Sequence, residues 1–163
     1  MSNENIDEVK KNIYSAFSNT ASSMGYDEVH GRTIAALILN GGEMSLQELS
    51  KETGYSSSSI SLSLDLLEIL GIIDKVKKQG DRKLYVKMKG DILGGLKQAV
   101  LIQIQKAISG TIESLRRYEK KLIEMEDDGS DDVLDGLGTL NKQMERLERY
   151  VDKLAEVKIP NDD

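Results

Sequence analysis

The amino-acid sequence predicts a mainly α-helical protein with one small β-hairpin between its helices. Apolar residues recur at spacings of three and four along most of the chain, which is the period of amphipathic helices. Between residues 72 and 89 the alternation changes to a period of two, which indicates a pair of strands. After residue 91 two long apolar stripes follow, and they are too long to be covered by so small a preceding region.

The composition excludes several classes of site. The chain has no Cys, which rules out disulfides and zinc–thiolate sites, and its single His30 argues against a histidine-rich metal site or a His-dependent catalytic triad. No run of about 18 apolar residues is present, so no membrane span is expected. The first residues lack the apolar stretch of a signal peptide. We therefore expect a cytoplasmic protein that is not an enzyme, binds no cofactor and does not contact a membrane.

Two helices are predicted at the N-terminus. The first covers residues 4–23 and has Ile6, Val9 and Phe17 on its apolar side. The second covers residues 27–39 and is ended by the Asn-Gly-Gly run at residues 40–42.

Two further helices around a tight turn are predicted next. Ser45 has Glu48 three residues later, which is the spacing of a capping box at a helix start. After the turn at residues 53–55, a second helix opens at Ser56 or Ser57 and ends at Gly71, which suits a left-handed C-terminal cap. Its predicted inward residues are Ile60, Leu64, Leu67 and Leu70.

The hairpin carries a local basic charge on an acidic protein. The net charge of the chain is -6, yet residues 75–89 hold seven Lys or Arg and one Asp, a local charge of +6. Residues 90–163 hold 11 basic and 16 acidic residues. Alternation predicts one basic face directed outward and one apolar face packed on the helices, with a turn at Gly80-Asp81. A local basic patch is typical of a phosphate-binding surface.

Two long helices follow, separated by the acidic segment 126–132. In the last helix the apolar residues from Val133 to Leu154 follow a strict heptad. These stripes could pack within one chain, but we expect them to bury against a second copy. The predicted dimerisation residues are Leu93, Val100, Ile104, Leu115, Leu122, Leu137, Leu140, Met144, Leu147, Val151 and Leu154.

Two short helices, a longer one and a basic hairpin form the order of a winged helix-turn-helix. Residues 28–89 resemble the MarR-type winged-helix transcriptional regulators, most closely the GbsR-like branch. The segments that carry the resemblance are GRTIAALIL at 31–39, SLQELS at 45–50, SISLSLDLLEILGII at 59–73 and GDRKLY at 80–85. The resemblance implies a homodimer whose terminal helices form the interface, whose heads bind operator DNA, and whose activity responds to a small-molecule effector of unidentified chemistry.

The candidate DNA contacts lie on the second helix of the pair and on the hairpin. They are Ser57, Ser58, Ser59, Ser61, Leu62, Lys77, Lys78, Arg82 and Lys83. The serines would meet phosphate at the helix N-terminus, Arg82 would enter the minor groove, and the lysines would contact phosphates. Asp81 would hold the tip by pairing with a neighbouring basic residue. Because residues 57–63 contain no Lys, Arg, Asn or Gln, specificity would rest on DNA shape and on the hairpin.

We therefore expect three regions: an N-terminal dimer-forming helix at 1–24, a DNA-binding winged helix-turn-helix at 25–90 and a dimerisation domain at 91–163. The predicted partners are double-stranded DNA on a two-fold site and a second copy of the chain. The alternative is a winged-helix module that binds protein through its Leu62/Leu66 side, within a transcription or chromosome-organising assembly. Basic charge in the hairpin favours DNA, whereas the apolar, Lys-free helix favours a protein partner.

Overall fold

A computed structural model describes residues 5–125 and 129–160 of the protein. The helices and strands are α1 Ile6–Ser23, α2 Glu28–Leu39, β1 Glu43–Ser45, α3 Leu46–Thr53, α4 Ser57–Ile69, β2 Ile73–Lys77, β3 Leu84–Met88, α5 Leu93–Met125 and α6 Ser130–Glu156. The chain divides into two compact units, Met1–Lys97 and Gln98–Asp163, which we call the head unit and the helical unit. The predicted fold class is confirmed: the protein is mainly helical, with a winged helix-turn-helix and long C-terminal helices.

The core of the head unit lies between α2, α3, α4 and the sheet. Local signals place the helices: Ser45 and Glu48 form the predicted capping box, and Gly71, at φ +73°, follows α4 in the left-handed conformation. The four residues predicted to face inward on α4 are buried. The largest fully buried apolar side chains are Leu37, Leu49, Ile60, Leu64, Leu67, Ile72, Ile73 and Val86.

The first helix packs with a different face from the one that its sequence predicts. Its buried residues are Tyr14 and Ser18, whereas Ile6, Val9 and Phe17 are exposed. The reason lies in α2, where Gly31 lets the backbone of α1 approach so closely that a Cβ there would lie 2.0 Å from the Phe17 carbonyl oxygen. The apolar stripe of α1 is thus directed away from its own head unit.

Within the described residues the sheet has three strands, one more than the sequence predicts. Its order is β1-β3-β2, with both neighbours antiparallel to β3. The short β1 pairs Met44 with Val86. Three residues are too few to show an alternation, so pairing with β3 rather than local pattern makes this strand. We call β2, β3 and their connecting turn, residues 73–88, the wing.

The helical unit contains α6 and most of α5, packed as an antiparallel pair. Ile108 and Ile112 of α5 form a cluster with Val151 of α6, and Leu101 and Met144 pack against it. Gln105 donates a hydrogen bond to Asp152 at 3.3 Å across the pair. With 33 residues, α5 is about 50 Å long. The predicted helix break at 126–132 falls partly on residues 126–128, which lie outside the described residues.

None of the helices within the described residues is both long and apolar enough to cross a membrane.

Candidate nucleic-acid interface

The N-terminus of α4 is built from consecutive serines. Ser56 is extended, with φ -65° and ψ 153°, and its Oγ accepts the Ser59 N–H at 3.1 Å. The hydroxyls of Ser58 and Ser59 lie 3.0 and 2.9 Å from the same Oγ. This cap occupies one N–H of the first turn, and the dipole of the helix still favours an anion at this end.

The five candidate residues of α4 differ in accessibility. Ser57 and Ser58 are exposed, and Ser59 and Ser61 are half-buried. Leu62 is 73% exposed, so a large apolar side chain stands on the outer side of this helix. The accessible part of α4 therefore offers hydroxyls and a methyl-bearing surface, which suits close approach to a backbone better than readout of bases.

The register of the wing contradicts the prediction that all its lysines share an outer basic face. Lys75 lies directly opposite the buried Val86, and Lys77 opposite Leu84. Residues directly opposite each other share a face, so Lys75 belongs to the face packed on the helices. There it contacts Asp65 Oδ1 at 2.5 Å and Glu68 Oε2 at 3.1 Å.

Lys78 contacts side chains of the neighbouring strands β1 and β3. Its Nζ lies 2.6 Å from Glu43 Oε1 of β1 and 4.0 Å from the centre of the Tyr85 ring. The hydrogen bond from Lys78 lowers the pKa of the Glu43 carboxyl, and in return Glu43 raises the pKa of Lys78. A phosphate that binds Lys78 therefore meets the negative charge of Glu43 beside it.

Asp81 holds the tip of the wing, but not by pairing with a basic side chain as the sequence predicts. It accepts the backbone N–H of Lys83 at 3.0 Å and the hydroxyl of Tyr85 at 2.9 Å. The Lys83 N–H lowers the pKa of this carboxyl, with the Tyr85 hydroxyl as the next cause. These two hydrogen bonds hold the turn that carries the exposed residues Arg82 and Lys83.

The cations that remain available are fewer than the sequence count suggests. Lys89 pairs with Asp74 at 3.2 Å, in addition to the pairs of Lys75 and Lys78. Within residues 5–125 and 129–160, no ion pair involves Lys77, Arg82, Lys83 or Lys87, and all four are exposed. The cations that form no ion pair within the described residues thus lie at the tip of the wing and at neighbouring strand positions, with Lys87 standing opposite Glu43 and Asp74 on the adjoining strands.

His30 is a satisfied, half-buried histidine. Its Nδ1 lies 2.8 Å from the hydroxyl of the fully buried Ser63, and Tyr26 contacts its ring edge-to-face. Burial lowers the pKa of His30, a shift that Asp27 opposes. Among the described residues, no group of three or more His, Cys, Asp or Glu side chains is placed to hold a metal ion.

The predicted dimerisation residues differ in how far their own chain buries them. Val151, 2% exposed, and Leu137 are buried by their own chain, and Met144 packs against the same cluster as Val151. Leu115 and Leu122 are half-buried. Exposed are Leu93, Val100, Ile104, Leu140, Leu147 and Leu154. The heptad of α6 thus has two sides, one buried within the chain at 137, 144 and 151, and one exposed at 133, 140, 147 and 154.

Three residues that pair with wing lysines were given no role from the sequence. Glu43, Asp65 and Glu68 bind two of the wing lysines. The sequence could have indicated Asp65 and Glu68, because they are three residues apart on one helix face and the next element is a basic strand. No signal existed for Glu43, because its strand is formed only by pairing with β3.

Comparison with known proteins supports the fold. No protein-family model and no curated protein matches the chain. A solved structure described as the crystal structure of a transcriptional regulator has a TM-score of 0.58 at 17% identity, over 90% of this chain and 95% of that one. NadR in complex with 4-hydroxyphenylacetate has a TM-score of 0.42 at 19% identity, over 84% and 95%. The organohalide-sensing transcriptional regulator RdhR in its ligand-free form has a TM-score of 0.41 at 18% identity, over 90% of this chain and 80% of that one. The first likeness shows a shared fold, and the other two scores are too low to carry an argument.

Proposed function

We propose that this protein is a DNA-binding transcriptional regulator of the MarR type, closest to the GbsR-like branch, that acts as a homodimer on a two-fold operator. The observation that carries the proposal is the set of exposed cations Lys77, Arg82 and Lys83 at the wing, which form no ion pair with any residue that the structure describes. They stand on a winged helix-turn-helix whose fold is shared with a transcriptional regulator. The exposed serine N-terminus of α4 adds a second surface suited to phosphate.

The role of each surface follows from its chemistry. Lys77 and Lys83 bind phosphates as point charges, and Arg82 at the turn enters the minor groove with its planar guanidinium. Ser57, Ser58 and Ser61 approach the backbone in the major groove. Sequence specificity then rests on the wing and on DNA shape, because residues 57–63 of α4 contain no Lys, Arg, Asn or Gln.

Homodimerisation is supported by apolar surface that the chain leaves uncovered. The stripe of α1, with Ile6, Val9 and Phe17, is exposed. The outer heptad side of α6, with Leu140 and Leu147, is exposed as well. A second copy that covers these stripes would place two heads on half-sites about one helical turn apart. An effector would act on that spacing.

Salt-dependent binding to duplex DNA tests the proposal. Affinity is expected to fall with salt with a log–log slope near -0.9 for each phosphate neutralised. Ser58→Glu is expected to abolish binding, because it places a negative charge at the phosphate-facing helix end. Ser15→Glu, at an exposed position of α1, is the matched control and should leave binding unchanged. Full binding by the Ser58→Glu variant would show that α4 does not approach DNA.

A protein partner is the second candidate, and one observation favours it. Leu62 and Ile69 are 73% and 80% exposed on α4. An apolar outer face of this kind is typical of protein contacts. A binding slope near zero, or no binding to long duplexes at low salt, would favour this candidate over DNA.

A further inference from the structure

The side of α4 nearest the wing carries two carboxylates. Asp65 and Glu68 are exposed and stand three residues apart, so they lie on neighbouring positions of one helix face. On a helix that approaches DNA, two negative charges repel the phosphates. A cation bound to both carboxylates would reduce this repulsion.

Lys75 is the group that binds both carboxylates. Its Nζ contacts Asp65 at 2.5 Å and Glu68 at 3.1 Å, and its backbone N–H donates to Glu68 Oε1 at 3.4 Å. The side chain is only 22% exposed. The pKa of Lys75 is raised, first by the hydrogen bond to Asp65. Lys75 thus remains a cation that joins the base of the wing to α4.

Its neighbour on the strand shows that this arrangement is specific. Lys77 is two residues away on the same face, is exposed, and makes no ion pair within the described part of the chain. A lysine whose only role is to bind phosphate is expected to be exposed and to form no ion pair, as Lys77 does within the described residues. Lys75 is oriented towards α4 instead.

We propose that Lys75 is a positioning residue for DNA binding, which holds the wing against α4 and neutralises Asp65 and Glu68 without touching DNA. This inference rests on the proposed function. It predicts that Lys75 contributes to affinity through the two carboxylates, whereas Lys77 contributes through phosphates. The two lysines are therefore distinguished by the salt dependence of binding.

The first measurement compares Lys75→Met with Lys77→Met. DNA affinity is measured by fluorescence anisotropy over a series of salt concentrations. Lys77→Met should lower the salt slope by about 0.9 per wing, since one phosphate contact is lost. Lys75→Met should lower affinity by roughly tenfold, within the range of coupling in one ion-pair network, and leave the slope unchanged. Lys75→Arg, which keeps the charge and the donors, should bind within about twofold of the wild type.

The second measurement is a double-mutant cycle with Asp65→Asn/Glu68→Gln. In that background the carboxylates are gone, so Lys75→Met should cost at most about twofold in affinity. Thermal unfolding followed by circular dichroism confirms that each variant is folded. If Lys75→Met alone does not fold, the triple variant is compared with Asp65→Asn/Glu68→Gln, and the same twofold limit applies.

The outcomes separate the two proposals. A slope that falls equally for Lys75→Met and Lys77→Met makes Lys75 a phosphate contact and overturns the inference, as does an unchanged affinity for Lys75→Met. The inference is also overturned if Lys75→Met lowers DNA affinity by the same factor in the wild type and in the Asp65→Asn/Glu68→Gln background. If the wild type itself does not bind duplex DNA at low salt, the proposed function falls, and the inference with it.

Discussion

A pair of adjacent glycines at the start of α5 gives a sharp test of the packing in the head unit. Gly94 is exposed, and a Cβ added there meets nothing within 4 Å. A Cβ at Gly95 would lie 2.4 Å from Ile72 Cγ1 and 2.7 Å from the Leu70 carbonyl oxygen. The same substitution to Ala thus probes open space at one position and the core at the next.

The magnitude follows from these distances. Ordinary contacts of a Cβ begin at 3.4 Å, so Gly95→Ala requires a shift of roughly 0.7–1.0 Å against a backbone oxygen and against Ile72, which is buried. Such overpacking costs about 1–3 kcal/mol. Both substitutions gain helix propensity, up to about 1 kcal/mol. Gly94→Ala should therefore stabilise the protein. The free energy of unfolding of the Gly95→Ala variant should be about 1–3 kcal/mol lower than that of the Gly94→Ala variant.

Urea unfolding followed by circular dichroism measures this difference. Because the two variants differ only in the position of one methyl group, propensity and unfolded-state effects cancel in the comparison. Equal midpoints for Gly94→Ala and Gly95→Ala would refute the reasoning, since they would mean that the first turn of α5 does not press against the segment from Leu70 to Ile72.

Three further predictions concern the dimer and the wing. Leu147→Asp should weaken self-association in sedimentation experiments, because it places a carboxylate in an apolar seam; a wild-type monomer of 18.1 kDa at micromolar concentration would contradict the dimer itself. Glu43→Gln should tighten DNA binding and steepen the salt slope by about 0.9 per wing, because Lys78 is released to bind phosphate; an unchanged slope would show that Lys78 does not reach DNA. Arg82→Ala should cost roughly 1–3 kcal/mol more on an A·T-rich specific duplex than on mixed competitor DNA at matched salt, and Arg82→Lys should restore only part of this. An equal loss on both duplexes would make Arg82 another phosphate contact.

Local sequence signals predicted α3 and α4 well, because each signal is complete within a few residues. The Ser45–Glu48 capping box is a reciprocal hydrogen-bond pair of one helical turn. The spacing of Ile60 and Leu64 set the buried face of α4, and Gly71 provided its end. At these positions propensity, pattern and packing agree.

Charge was less predictable, because a count of residues does not say what each charge contacts. Residues 75–89 include seven basic residues, yet Lys75 pairs with carboxylates of α4 and Lys78 with a carboxylate of β1. The cations without an ion pair within the described residues are Lys77, Arg82, Lys83 and Lys87, and exposure rather than strand face distinguishes Lys77 from Lys75. The DNA contacts themselves, like the domain roles, stay predictions.

By itself, the sequence determined the fold class, the order of the helices and wing, and the apolar stripes, since these depend on periodicity and short-range capping. The tertiary structure alone decided which stripe is covered. The backbone of α1 packs closely against Gly31 of α2, with Tyr14 buried and Phe17 exposed. Pairing with β3 forms β1, which places Glu43 beside Lys78. The physical reason is that burial and ion pairing depend on contacts between residues distant in the chain, and no local pattern records those contacts.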